Sequence, residues 1–219
     1  MRFSLFQAWL QNKQTAMHKY FPELESDRTH ITTKWMEAGS RVASGLEQRP
    51  LPDWLSDITP ADISEYRIIE EMEGMRIRGT LDKYYEKDNT VIDNKSLKRP
   101  MTAKEEAHLK TKLLFTLNDF TTLKNKFGVK EAIKYKQQLT YYQVLVEQKH
   151  GKVNPTSYIE VIYMYEDMNG LIRRTGEPVE MIPVIVNDTE RAAMKQLMIT
   201  TAKDISTVYQ AYLRGDIKL

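Results

Sequence analysis

The chain has 219 residues, 41% of them hydrophobic, and no cysteine. That length suits one substantial core, so a single globular domain over residues 1–219 is expected. Without cysteine, structural disulfides, thiolate zinc sites and cysteine-ligated iron-sulfur clusters are excluded, and any metal must be held by oxygen or histidine. No apolar run reaches the length of a membrane span, and "MRFSLFQAWLQNKQ" lacks the apolar core and cleavage site of a signal peptide, so a cytoplasmic protein with no membrane partner is expected. The net charge of +2 hides an asymmetry: Lys95 to Lys136 carries eleven Lys/Arg against four acids, +7, while the remainder sums to −5. Such a segment is either a solvated helical surface or the footprint of a polyanionic ligand.

Leu5, Phe6, Trp9 and Leu10 recur at helical spacing, and Ser4 is placed to cap a first helix through about His18. A second helix is expected from about Ile31 to Gln48, with Ile31, Trp35, Ala38, Val42 and Leu46 as its apolar stripe. Pro50, Pro52 and Pro60 then predict a loop over 49–62. "EYRIIEEME" (65–73), "MRIRGTLDKYYEK" (75–87) and "TVIDNKS" (90–96) read as strands joined by turns at Gly74 and at Asp88-Asn89, which predicts an antiparallel meander. Thr102 to Glu105 has the capping-box pattern and opens a predicted helix to about Leu117. Residues 129–151 read as the clearest helix, ended by Gly151. Strands are expected over 156–167 and 180–188, around an Asn169-Gly170 turn, with a last long helix from Thr189 to Leu213. The fold class is therefore α/β or α+β, with a central mixed sheet between helices.

Alternation on a strand puts Asp93 and Lys95 on one face together with Val91, and Ile92 and Asn94 on the other. Asp82 lies on the preceding strand, and the turn at Asp88-Asn89 brings it beside Asp93. Two adjacent carboxylates at a sheet end repel unless a proton or a cation separates them. Mg²⁺ or Mn²⁺ would do so and would also bind a phosphate oxygen, while the Lys95 ammonium would act as a point charge beside it. The bland alternative is a pair of solvated acids at turn-flanking strand ends. Acid-any-Lys alone is a weak pattern, since it recurs at Glu147 to Lys149 and at Asp216 to Lys218; only the copy at 93–95 follows an acid-bearing strand.

Four stretches together resemble the PD-(D/E)XK nuclease superfamily and, within it, the RecB-like exonuclease group. "AGSRVASGLE" (38–47) is similar to the helical segment that ends in a motif glutamate, here Glu47. "IRGTLD" (77–82) is similar to the strand bearing the first metal-ligand aspartate, Asp82, and "VIDNKS" (91–96) to the acid-x-Lys strand, giving Asp93 and Lys95. "YKQQLTYY" (135–142) resembles the helix that registers Gln138 and Tyr142, one helical turn apart on one face. The resemblance implies a restriction-endonuclease-like core and a DNA nuclease, exonucleolytic or end-processing, acting in recombination, repair or phage DNA metabolism. Glu47, Asp82 and Asp93 would hold Mg²⁺ or Mn²⁺, Lys95 would assist the attacking water, and Gln138 and Tyr142 would position the substrate.

The chain departs from the pattern in three places. Ala43 stands where many RecB-like nucleases carry a histidine ligand, four residues before the glutamate. The iron-sulfur subgroup is excluded. About forty residues separate Lys95 from Gln138, and this excess coincides with the basic segment, expected to form a helical insertion over about 98–128. There Lys98, Arg99, Lys104, Lys110, Lys112, Lys124 and Lys126 would contact phosphates of DNA ends or single strands. Phe115, Phe120 and Phe127 either fill a core or stack on bases. His18, His30, His108 and His150 have no paired ligand spacing and are read as surface or packing residues. A homo-oligomer or a recombination partner protein is compatible with the resemblance, as is a bacterial or phage-infected host cell. The alternative function is a nuclease-fold protein that has lost strong catalysis and binds nucleic acid or such a partner.

Overall fold

The computed structural model describes residues 1–21, 34–98 and 128–217, with side chains omitted at 97, 98, 129 and 130. The expected helix over 102–117, Arg99, the lysines from Lys104 to Lys126, the three phenylalanines, His30, His108 and the side chain of Lys98 lie outside that description.

Two short helices open the chain, α1 (Phe3–Gln11) and α2 (Lys13–Tyr20), followed by α3 (Lys34–Glu47). The single first helix expected from the periodicity is split because Asn12 is extended and its side chain accepts a bond from the Thr15 N–H at 2.9 Å, capping a new helix. Arg2, not Ser4, occupies the N-cap of α1. Three strands follow, β1 (Ile63–Met72), β2 (Met75–Tyr85) and β3 (Thr90–Lys98), then α4 (Val129–His150). The rest is β4 (Thr156–Glu166), β5 (Ile172–Arg174), β6 (Glu180–Ile185) and α5 (Asp188–Leu213). Gly151, in the left-handed region at φ 73°, ends α4, and a capping box of Asn187 and Glu190 opens α5. The strand β5 falls in the segment expected only to connect β4 and β6.

The six strands form one mixed sheet in the order β1-β2-β3-β4-β5, with β6 also on β4. β3 and β4 run parallel, from Ile92 opposite Tyr158 to Lys98 opposite Met164; all other pairings are antiparallel. The edge strand β1 is mostly exposed or half-buried, whereas β4 is buried from Ile159 to Met164, because helices cover both faces of the sheet there. On one face α1, α4 and α5 pack Phe6, Tyr141, Leu145 and Met198 against Ile77, Leu81, Val91 and Val161. On the other, α3 and the loop after it pack Val42, Leu46 and Leu55 against Ile162 and Met164. Among the described residues no helix is long and apolar enough to cross a membrane.

The meander expected for the first three strands is only partly realised. β2 pairs with β1 from Met75 to Tyr84 with one break, at Asp82, but with β3 only from Lys83 opposite Ile92 to Tyr85 opposite Thr90. Beyond that pair β3 leaves β2 and follows β4, and the vacated edge of β2 is taken by the first residues of the chain. There the Arg78 N–H donates to the Met1 carbonyl at 2.8 Å, and Arg2 bridges Arg78. The sheet therefore forks between β2 and β3.

Candidate active site

The next residues past the last β2–β3 pair are Asp82 and Asp93, so the two acids sit at the crotch of the fork. No backbone ladder joins the strands there, and a side chain takes over: Asp82 Oδ2 accepts the Asn94 N–H at 2.8 Å. Asp93 is buried and held from two sides. Its Oδ1 accepts from Gln138 Nε2 at 2.9 Å, and its Oδ2 is ion-paired with Lys95. The same Gln138 nitrogen donates to the Tyr142 hydroxyl at 3.1 Å, which fixes the orientation of the amide.

Helix α4 reaches this fork because Gly79 lets it. A Cβ at Gly79 would lie 2.7 Å from Leu145 Cδ1 and 3.1 Å from the Tyr142 ring, so β2 and α4 approach closer than any side chain there permits. The spacing of Tyr135, Gln138 and Tyr142 keeps all three on the sheet-facing side of α4. The Lys95 ammonium lies 4.9 Å from the Tyr135 ring centroid, a cation–π contact that adds to the Asp93 pair.

The electrostatics follow from this placement. Burial, then the neighbouring Asp93 charge, pushes the Asp82 carboxyl up to about 8, despite Lys95 and the Asn94 N–H. Burial alone would lower the Lys95 ammonium, but Asp93 and Asp82 together hold it above its ordinary value. Lys95 is thus a fixed cation at neutral pH and no general base. Burial and the Asp93 charge raise the Tyr142 phenol, against its Gln138 bond, so it remains a neutral hydroxyl.

A carboxylate absent from the sequence reading also belongs here. Glu65 on β1 stands opposite Asp82, at the one position where the β1–β2 register is interrupted, and its φ is +50°. Left-handed backbone at a non-glycine strand residue costs of order 1 kcal/mol or more and collects at functional sites. Burial and the Glu47 charge raise the Glu65 carboxyl, and Glu65 in turn contributes to the raised Asp82. No sequence signal marks Glu65; only the backbone reveals it.

Of the residues singled out from sequence, the structure brings together Asp82, Asp93, Lys95, Gln138 and Tyr142. Glu47 is exposed at the end of α3, where Glu65 feels its charge, and Ala43 is exposed one turn earlier. His150 packs against Tyr84 and meets the Tyr66 hydroxyl at 3.1 Å, a packing role.

The donor set suits a hard divalent cation in one particular form. Among the described residues no three His, Asp or Glu side chains form a ready-made metal cage. Two adjacent carboxyl groups would suit an ion that keeps several waters and completes its shell with substrate phosphate, as Mg²⁺ does. Such oxygen donors would suit a hard divalent ion rather than a soft metal.

No protein-family model matches the chain. No curated protein matches it either. Among solved structures, a candidate exonuclease of Eubacterium rectale superposes with a TM-score of 0.53 at 12% identity, over 100% of this chain and 82% of that one. The protein called SSO0001 is a looser match, with a TM-score of 0.40 at 14% identity over 92% of this chain and 74% of that one. The first likeness establishes a shared mixed α/β fold, with its six-stranded sheet between helices.

Proposed function

We propose that the protein is a metal-dependent nuclease of the PD-(D/E)XK kind, of the RecB-like group, that hydrolyses phosphodiester bonds of DNA. The observation that carries this reading is the arrangement at the fork: Asp82 and Asp93 side by side, with Lys95 and Gln138 fixed on Asp93. The candidate exonuclease that shares the fold is consistent with it.

Asp82 and Asp93 would hold the cation, with Glu65 and Glu47 adding negative charge at its edge. The bound ion would neutralise charge on the phosphate oxygens and lower the pKa of a water. Lys95 supplies a permanent positive charge where the transition state gathers negative charge. Gln138 holds Asp93 in one rotamer by donating to Oδ1, and Tyr142 holds Gln138, so neither has to reorganise when substrate arrives.

Digestion of end-labelled DNA with Mg²⁺, Mn²⁺ or EDTA tests this directly. Cleavage should require the ion and disappear in Asp93→Asn; equal background from wild type and variant in Mn²⁺ sinks the reading. A second reading, a nuclease-fold protein that binds nucleic acid without strong catalysis, is favoured by the two-carboxylate donor set and by Ala43. It predicts salt-sensitive DNA binding with no metal-dependent cleavage.

A further inference from the structure

A cavity of about 340 Å³ opens beside the acid pair and shares Gln138 and Tyr142 with it. Its other polar walls come from Arg2 before α1, Ser4 in its first turn, Arg67 on β1 and Arg78 on β2. The fork creates this cavity: the opening segment of the chain, bridged to β2 where β3 has left, forms one wall, and α4 forms another. We propose that it is a phosphate-binding subsite, taking a phosphate of the same nucleic-acid strand whose neighbouring bond lies at Asp82 and Asp93. The inference rests on the nuclease reading and extends it to substrate position.

Three observations support the assignment. None of Arg2, Arg67 and Arg78 has an acidic ion-pair partner among the described residues, although acids are plentiful on the adjoining strands. Arg67 pairs with Thr80 and is the diagonal neighbour of Arg78, and Arg2 bridges Arg78, so three like charges gather within reach of one another, which is unfavourable unless an anion joins them. The positive field is felt locally: burial, then Arg78 and Arg76, holds the Met1 amino group below its ordinary value. The chemistry also suits the ligand, because guanidinium forks match phosphate oxygens two at a time. Arg2 is partly positioned already, its guanidinium 5.1 Å from the Tyr20 ring centroid. The acid pair at the fork and the positive cavity thus divide the work, one taking a cation at the bond to be cut, the other holding an adjacent phosphate.

The test compares wild type with the double variant Arg67→Gln/Arg78→Gln and with a control of equal charge loss, Lys87→Gln/Lys152→Gln, all checked by circular dichroism. The probe is a short fluorescent single-stranded DNA, with a 5′-phosphate or a 5′-hydroxyl, titrated in EDTA by anisotropy over a range of salt. The arginine variant should bind about tenfold more weakly at low salt, with its salt slope smaller by roughly one to two, while the control keeps its slope. A loss confined to the phosphorylated strand assigns the cavity to a terminal phosphate, and a loss on both strands to an internal phosphodiester. An unchanged slope in the arginine variant, or an equal loss in the control, overturns the proposal. Wild type that binds in this arginine-dependent way yet cuts nothing in Mn²⁺ would instead overturn the nuclease reading and leave the subsite standing.

Discussion

Two lysine–carboxylate pairs flank the last β2–β3 pairing, and they differ in one respect that separates structure from function. Lys83 and Glu160 lie on the α3 side, 2% and 6% exposed, with Nζ to Oε2 at 2.6 Å and a further bond from Nζ to the Thr59 carbonyl at 3.1 Å. Burial depresses the lysine and raises the glutamate, and each offsets only part of the other's shift. Lys95 and Asp93 lie on the α4 side, 20% and 1% exposed. Here one ammonium faces two aspartates, with Glu65 and Glu47 behind them. A buried pair with no further acid beside it is a packing element; a pair beside a second carboxyl, whose proton a cation would displace, and open to solvent is where a cation would be held.

This contrast can be broken from either side. Lys83→Met strands Glu160 in the core and should cost about 3–5 kcal/mol in denaturant unfolding, with metal-dependent cleavage retained wherever the protein is folded. A loss below about 1 kcal/mol would mean that Lys83 is no structural anchor. Gly79→Ala drives a methyl into Leu145 and Tyr142 and should cost about 1–3 kcal/mol, lowering activity as Gln138 is displaced.

Asp82 gives the opposite sign. Its raised carboxyl keeps a proton in the folded, metal-free protein where the unfolded chain has lost it. The stabilisation is complete below the ordinary value of about 3.9 and is lost as pH rises through about 8. In EDTA the melting temperature should therefore fall between these pH values, Asp82→Asn should flatten the profile, and Mg²⁺ should restore stability at high pH. A flat wild-type profile contradicts the placement. Gln138→Leu should cost folding about as much as Gly79→Ala, about 1–3 kcal/mol, but weaken metal binding or activity by about 10–100-fold.

Much of this was legible in sequence because period and punctuation agree. The alternation through Val91, Asp93 and Lys95 places the acid and the lysine on one face, and Gly151 ends α4 where the pattern stops. The fork was not legible, since nothing in "DKYYEKDNTVID" says that β3 will leave β2 after three pairs for a parallel partner more than sixty residues away. Glu65 was hidden for the same reason, its position depending on a local backbone reversal in a residue type that reads as ordinary strand surface. The break at Asn12 did have a signal, a capping side chain three residues before Thr15, outweighed by the apolar periodicity around it.

The most direct measurement is a Mn²⁺ titration followed by electron paramagnetic resonance, on wild type and on Asp82→Asn/Asp93→Asn. Two carboxyl groups facing one ammonium at the fork predict a saturable Mn²⁺ site in wild type, formed as the ion displaces the Asp82 proton, that the double variant lacks while it remains folded. Equal binding by the two proteins would contradict the assignment of these aspartates as the metal-holding pair.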